Sequence, residues 1–231
     1  MVPQEKKNTS WSVSEKTVSE LVFGIAHQIR NPLAIIRSQT QHLLSLVCEK
    51  EYRHIPETII HSVDFLNHRL DELVDFTKPV ELDLRNCAPS EIIEHILPLI
   101  RLRCELQNIR SETHYEKPFF PVRVDPDRVQ EALLQIALNA IEAMPHGGEL
   151  SIRVFQDKVA KNTFFQIIDS GVGISQEDLK NVFSPFFTTR RESAGLGLSI
   201  ALKIFELHGG SLKLESVSGK GATVTGTIPG L

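Results

Sequence analysis

Apolar residues recur at spacings of three, four and seven across residues 13–47: Val18, Leu21, Val22, Ile25, Ile29, Ile36, Leu43, Leu44 and Val47. That period predicts one amphipathic helix, roughly 50 Å long at 1.5 Å per residue. Pro32 falls inside it, removes a backbone donor and predicts a kink over residues 28–32. A second stripe, Ile55, Ile59, Val63, Leu66, Leu70 and Leu73, predicts a helix over 54–76. A short polar link at 49–53 joins the two into a helical hairpin. A lone hairpin cannot bury both stripes, whereas two copies packed as a four-helix bundle can.

Lys78-Pro79 closes the helical region and marks a domain boundary. Beyond it the pattern alternates between helix and strand. Helices are predicted over 89–107, 126–144, 176–182 and 195–208. Strands are predicted over 110–115, 120–124, 149–156, 163–169, 211–215 and 222–228, the later ones rich in β-branched residues. Residues 1–12 are polar and predict a disordered start. The division is therefore 1–12, a helical 13–78 and a mixed 79–231.

Composition narrows the function classes. The chain is 41% hydrophobic and 23% charged, which suits ordinary globular folding. A formal net charge of -4 argues against a nucleic-acid partner. The three cysteines, Cys48, Cys87 and Cys104, lie far apart with no CxxC pair, so neither a zinc site nor a disulfide framework is expected. No run of about 18 apolar residues exists, so no membrane segment is predicted. These features predict a cytoplasmic chain, or the cytoplasmic part of a longer protein.

Four motifs carry candidate chemistry. Asp169-Ser170-Gly171-Val172-Gly173 follows a predicted strand; its carboxylate suits an exocyclic amine and its glycines admit close approach of a flat ligand. Ala194-Gly195-Leu196-Gly197-Leu198 heads a predicted helix, where free N–H groups and the positive dipole end favour phosphate. Gln135 and Asn139 stand four apart on one helical face, and an amide oxygen there can ligate Mg²⁺. The segment 182–190, with Phe183, Phe186 and Phe187 around Pro185, runs into the polar, basic stretch 188–194. Taken singly, each also fits an ordinary turn, helix start, solvent-facing amide or core cluster.

Their order and spacing within about 65 residues resemble the ATP-binding domain of histidine kinases, of the GHKL group shared with gyrase, Hsp90 and mismatch-repair ATPases. Upstream, the run Phe23-Gly24-Ile25-Ala26-His27-Gln28-Ile29-Arg30-Asn31-Pro32-Leu33 resembles the phosphoacceptor box of two-component sensor histidine kinases, nearest the nitrogen-regulation type. The resemblance implies an α+β chain: an antiparallel hairpin forming a dimeric four-helix bundle, then an α/β sandwich with a mixed sheet. It implies ATP and Mg²⁺ as cofactors, and a response-regulator receiver domain and a second copy of the chain as partners.

Residue by residue, the resemblance makes His27 the phosphoacceptor, a role suited to a neutral imidazole near pH 7. It makes Asn139 the Mg²⁺ ligand with Gln135 beside it. Asp169 would hold the adenine amine, Gly171 and Gly173 would shape its pocket, Gly195 and Gly197 would flank the phosphates, and Arg190 would balance their charge. Asn31, one turn from His27, would place water for dephosphorylating the regulator. Arg30 and Arg37 are expected exposed on the regulator-docking surface. Three positions depart from the pattern. Gln28 stands where an acidic residue is usual, and an amide cannot take a proton from the imidazole. Gln135 replaces the more frequent Asn, and Ser193 a glycine. His54, His61 and His68 form a row with neighbours about 10 Å apart, too far to share one metal ion. Two rivals stay open: a clamp-type ATPase of the same group, and a phosphatase-biased scaffold that Gln28 would favour.

Overall fold

The computed structural model describes residues 11–47, 52–78, 81–157, 159–190, 193 and 195–230. The chain forms two compact units that divide between Glu81 and Leu82.

The first unit is a hairpin of α1 (Trp11–Leu46) and α2 (His54–Thr77). Helix α1 therefore includes Trp11 and Ser12 of the segment predicted as disordered; residues 1–10 and 48–51, with Cys48 and most of the polar link, lie outside the described residues. Pro32 sits inside α1 without ending it. The buried row on α1 is Ala26, Leu33 and Thr40, spaced by seven, with Val63 and Val74 buried on α2. The Thr40 hydroxyl donates to the Ile36 carbonyl at 2.7 Å, which satisfies it in that buried row. A count of large apolar residues passes over Ala26 and Thr40. The predicted stripe residues Ile29, Ile36 and Leu43 are instead 42%, 45% and 49% exposed, as are Ile55 and Leu66 on α2.

Two ion pairs fix the register. Arg30 meets Asp71 at 2.6 Å, and Arg37 meets Asp64 at 2.6 Å. Seven residues forward on α1 answer to seven backward on α2, so the helices run antiparallel. Both arginines, expected to be exposed, are half-buried and engaged across the hairpin.

The second unit runs β1 (Arg85–Cys87), α3 (Pro89–Leu106), β2 (Ile109–Glu116), β3 (Val122–Val124), α4 (Pro126–Glu142), β4 (Gly148–Gln156), β5 (Thr163–Asp169), α5 (Gly197–Leu207), β6 (Ser211–Ser216) and β7 (Ala222–Ile228). Five strands form a mixed sheet in the order β2-β4-β5-β7-β6, with β2 parallel to β4 and every other pair antiparallel. Strand β5 alternates buried and half-buried residues along its length, the signature of a sheet packed on one face. Helices α3, α4 and α5 cover that face. Ile93, Ile100, Leu133, Phe165 and Phe205 are all fully buried there.

One predicted element differs and one strand is additional. The helix expected over 176–182 is a single 3₁₀ turn, Asp178–Lys180, started by the Ser175 hydroxyl accepting from the Asp178 N–H at 3.1 Å. Seven residues supply too little hydrogen bonding to offset helix nucleation. Strand β1, three residues long, pairs with β3 and has no periodic signal of its own.

Caps set the helix positions. Asp125 caps α4, its Oδ1 accepting from the Arg128 N–H at 3.1 Å, with Pro126 in the first turn. Its Oδ2 accepts from the Asp83 N–H at 3.0 Å. The Asp125 N–H donates to His208 Nε2 at 3.0 Å, so the proton of that ring lies on Nδ1, 2.7 Å from the Ile204 carbonyl. One buried aspartate thus joins the start of α4 to the end of α5. Phe205 lies directly over Gly226 of β7, where any Cβ would overlap its ring. Phe205→Ala is expected to lower unfolding free energy by about 3–5 kcal/mol in a urea titration followed by circular dichroism; a change below about 1 kcal/mol would contradict this packing account.

Candidate active site

The walls of one cleft in the second unit come from α4, the end of β5, the loop after it and the segment leading into α5. It is partly open to solvent at its mouth. Ile136, Ile167, Leu214 and Val224 give it an apolar floor. Asn139, Asp169, Gly173, Arg190, Gly195 and Gly197 all line it. Residues 188–190 and Ser193 form one wall, while Arg191, Glu192 and Ala194 lie outside the described residues.

Asp169 ends β5 and is 8% exposed. Its Oδ1 accepts from the Gly171 N–H at 2.8 Å and the Ala222 N–H at 3.3 Å. This leaves Oδ2 for a ligand donor. Burial pushes the carboxyl above the usual aspartate range, while those two N–H groups and Arg190 pull it back. Gly171 lies behind the wall rather than in it: a Cβ there would stand 2.5 Å from the carbonyl oxygen of Ala143, just past the end of α4. The Val172 N–H donates to that same oxygen at 3.1 Å. Gly173 turns the loop at φ 66°, a conformation that L side chains rarely adopt.

At the opposite end, α5 begins at Gly197, and its cap position, Leu196, offers no side-chain acceptor. The first N–H groups of α5 are therefore available to an anion. A Cβ on Gly197 would lie 2.9 Å from Gln135 Oε1 and 3.2 Å from Asn139 Nδ2. The two amides of α4 thus stand beside the start of α5; Asn139 reaches the cleft, whereas Gln135 packs behind it. Arg190 is tethered, donating to Glu142 at 2.5 Å and to the Asn139 carbonyl at 3.4 Å. The loop holding it is closed at its base by the Phe186 N–H, which donates to the Gly195 carbonyl at 2.9 Å.

Sequence reasoning missed three contributors. Glu142 holds Arg190, seven residues along α4 from Gln135. Ser216 accepts from the Ile174 N–H at 2.9 Å and donates to the Gly221 carbonyl at 2.6 Å. Gly221 and Ala222 bring a backbone donor to Asp169 from 53 positions downstream. The glycines at 219 and 221 were the available signal for that turn.

In the first unit, His27, Gln28 and Asn31 are all exposed on α1, away from the buried Ala26 and Leu33. Among the described residues no three His, Cys, Asp or Glu side chains gather as a metal site, and no helix is long and apolar enough to cross a membrane.

The exposed histidine on the hairpin and the buried aspartate in the cleft lie in two stretches that match known families. Residues 17–81 match the His Kinase A (phospho-acceptor) domain, and residues 124–230 match the Histidine kinase-, DNA gyrase B-, and HSP90-like ATPase family. Together with the sensor histidine kinase relatives, these matches show the catalytic core of a two-component histidine kinase. It is 32% identical over 218 residues to sensor histidine kinase ZraS of Salmonella typhimurium, covering 93% of this chain and 47% of that protein. The chain spans about half the length of the ZraS relatives it matches. Histidine kinase ThkA in complex with response regulator protein TrrA superposes with a TM-score of 0.69 at 25% identity, covering 98% of this chain and 68% of that one. Full-length ShkA in complex with AMPPNP shares the fold, with a TM-score of 0.74 at 21% identity over 91% of this chain and 46% of that one.

Asp169→Asn is expected to weaken binding of a fluorescent ATP analogue by about ten- to 150-fold, the range of a hydrogen bond to a charged group. Because burial raises this carboxyl, its proton returns at a higher pH than on an exposed aspartate. Wild-type affinity should therefore fall on acidification from that higher pH, and the variant should lack the acid limb. Equal acid limbs in both proteins would exclude Asp169 as its source.

Proposed function

We propose that this chain transfers the γ-phosphoryl group of ATP to His27 and then to an aspartate on a response-regulator receiver domain. The observation that carries the reading is the pairing of Asn139 and Asp169 in one cleft, in a chain whose first unit presents His27 to solvent. The complex of ThkA with TrrA supports the same class of partner for this chain.

Asp169 accepts the adenine amine through Oδ2 above the apolar floor, and the start of α5 at Gly195 and Gly197 receives the phosphates. The lone pair of a His27 ring nitrogen forms the N–P bond as the bond from the γ-phosphorus to the bridging oxygen breaks. ADP departs with that electron pair, and the proton on the other ring nitrogen passes to water. Asn139 would hold Mg²⁺ through its amide oxygen. When bound, the ion would neutralise charge on the β- and γ-phosphates. Arg190 adds a positive charge at the same end once it leaves Glu142. Gln28 cannot accept a proton, so the chain lacks the neighbouring base that would speed the step. Asn31, exposed one turn from His27, would orient water against a phosphorylated regulator.

The exposed row of Ile29, Ile36 and Leu43 with Ile55 and Leu66 supports a homodimer closed as a four-helix bundle. The narrower likeness to nitrogen-regulation-type sensors rests on Asn31-Pro32-Leu33 and the run from Pro185 to Arg190 alone.

Incubation with γ-labelled ATP should give acid-labile, base-stable label on wild type and none on His27→Ala. Free phosphate without protein label would favour the clamp reading instead. Gln28→Glu should speed labelling by about 10²-fold, the lower edge of what a positioned base supplies. An unchanged rate would rule out the missing base as a limit, whereas ATP binding without self-labelling, together with dephosphorylation of a regulator, would favour the phosphatase-biased scaffold.

A further inference from the structure

Gly24 has no evident structural reason to be glycine. It lies inside α1, three residues before His27, in ordinary helical conformation. Among the described residues, no heavy atom comes within 4 Å of where its Cβ would stand, the adjoining helix backbone and the two chain neighbours aside. Neither a positive φ nor a close approach requires a bare backbone there, and glycine within a helix is unfavourable relative to alanine. At 3.6 residues per turn, position 24 lies about 20° around the helix from Asn31, 40° from Gln28 and 60° from His27. It lies about 180° from the buried Leu33, and about 100–140° from the exposed row of Ile25, Ile29, Ile36 and Leu43. The gap is thus on the His27 face, neither in the hairpin contact nor centred on the apolar row.

Helical side chains lean back over the preceding turn. The ring of His27 therefore projects toward the level of Phe23 and Gly24. We infer that Gly24 is a positioning residue that keeps the flank of the His27 imidazole open for in-line approach of the ATP γ-phosphate. The inference rests on His27 being the phosphoacceptor. In-line transfer needs the reacting atoms about 3–3.5 Å apart, and a branched side chain at 24 would stand in that corridor.

The test uses Gly24→Ala and Gly24→Leu in the whole chain, beside His27→Ala. Thermal melting, sedimentation velocity, affinity for a fluorescent ATP analogue and initial rate of labelling from γ-labelled ATP are measured for each. Both position-24 variants should melt at or above the wild-type temperature, keep its sedimentation coefficient and bind the analogue equally. Labelling should fall with side-chain size, slightly for alanine and on the order of 10²-fold for leucine, the scale of a misplaced reacting atom. Wild-type labelling in Gly24→Leu, with none in His27→Ala, would overturn the inference and leave the His27 reading intact. A labelling loss that tracks a lower melting temperature or a changed sedimentation coefficient would also overturn it, by assigning Gly24 to folding or assembly. Persistent labelling of His27→Ala would remove the His27 reading itself.

Discussion

The ATP-binding unit is organised around one buried carboxylate. Asp169 ends a central strand of the mixed sheet, and its Oδ1 is fixed by two backbone N–H groups from different loops. A buried charge is tolerated only when hydrogen bonds replace its lost hydration, so the surrounding structure has to deliver those donors. Gly171 must approach the Ala143 carbonyl without a side chain, and the β6–β7 turn must return to place Ala222. The result is an acceptor with one oxygen committed to the protein and one available to a ligand. Burial raises the carboxyl, yet the two N–H groups and Arg190 favour its ionised form.

The same unit fixes the other end of its cleft by a different route. Asp125 caps α4 and engages His208 at the end of α5, so the two helices that flank the cleft are joined at one end. At the other end, Gly197 of α5 lies against Gln135 and Asn139 of α4. The free N–H groups of one helix are thereby kept beside the amides of its neighbour. A site that combines a dipole end with amide oxygens needs this mutual placement more than it needs any single side chain. Arg190 reaches the same end of α4 through its ion pair with Glu142.

In the hairpin, α1 presents three distinct faces. Ala26, Leu33 and Thr40 pack inward, and Ile29, Ile36 and Leu43 form an outward apolar row. Gly24, His27, Gln28 and Asn31 occupy the remaining face. Arg30 and Arg37 are held by Asp71 and Asp64 at the edge between faces. Exposed ion pairs of this kind stabilise little, but their matched seven-residue steps define a single register.

Much of this was legible in the residues themselves. Long helices announce themselves by period, strands β5 and β7 by β-branched alternation, and Asp169, Asn139, Gly195 and Gly197 by the order of their motifs. Each of those signals is local, because backbone geometry and side-chain spacing fix it within one or two turns. The failures were equally physical. The inward row of α1 contains an alanine and a threonine that carry no apolar weight, and residues 176–182 are too few to hold a helix. The glutamate that tethers Arg190, the serine that ties the loop after Asp169 to the β6–β7 turn, and the choice of which carboxylate oxygen stays free depend on groups distant in sequence. The sequence alone determined the elements and the chemical candidates; only the tertiary structure decided which candidates share a cleft, because that placement is set by strand order and long-range backbone hydrogen bonds that no local pattern encodes.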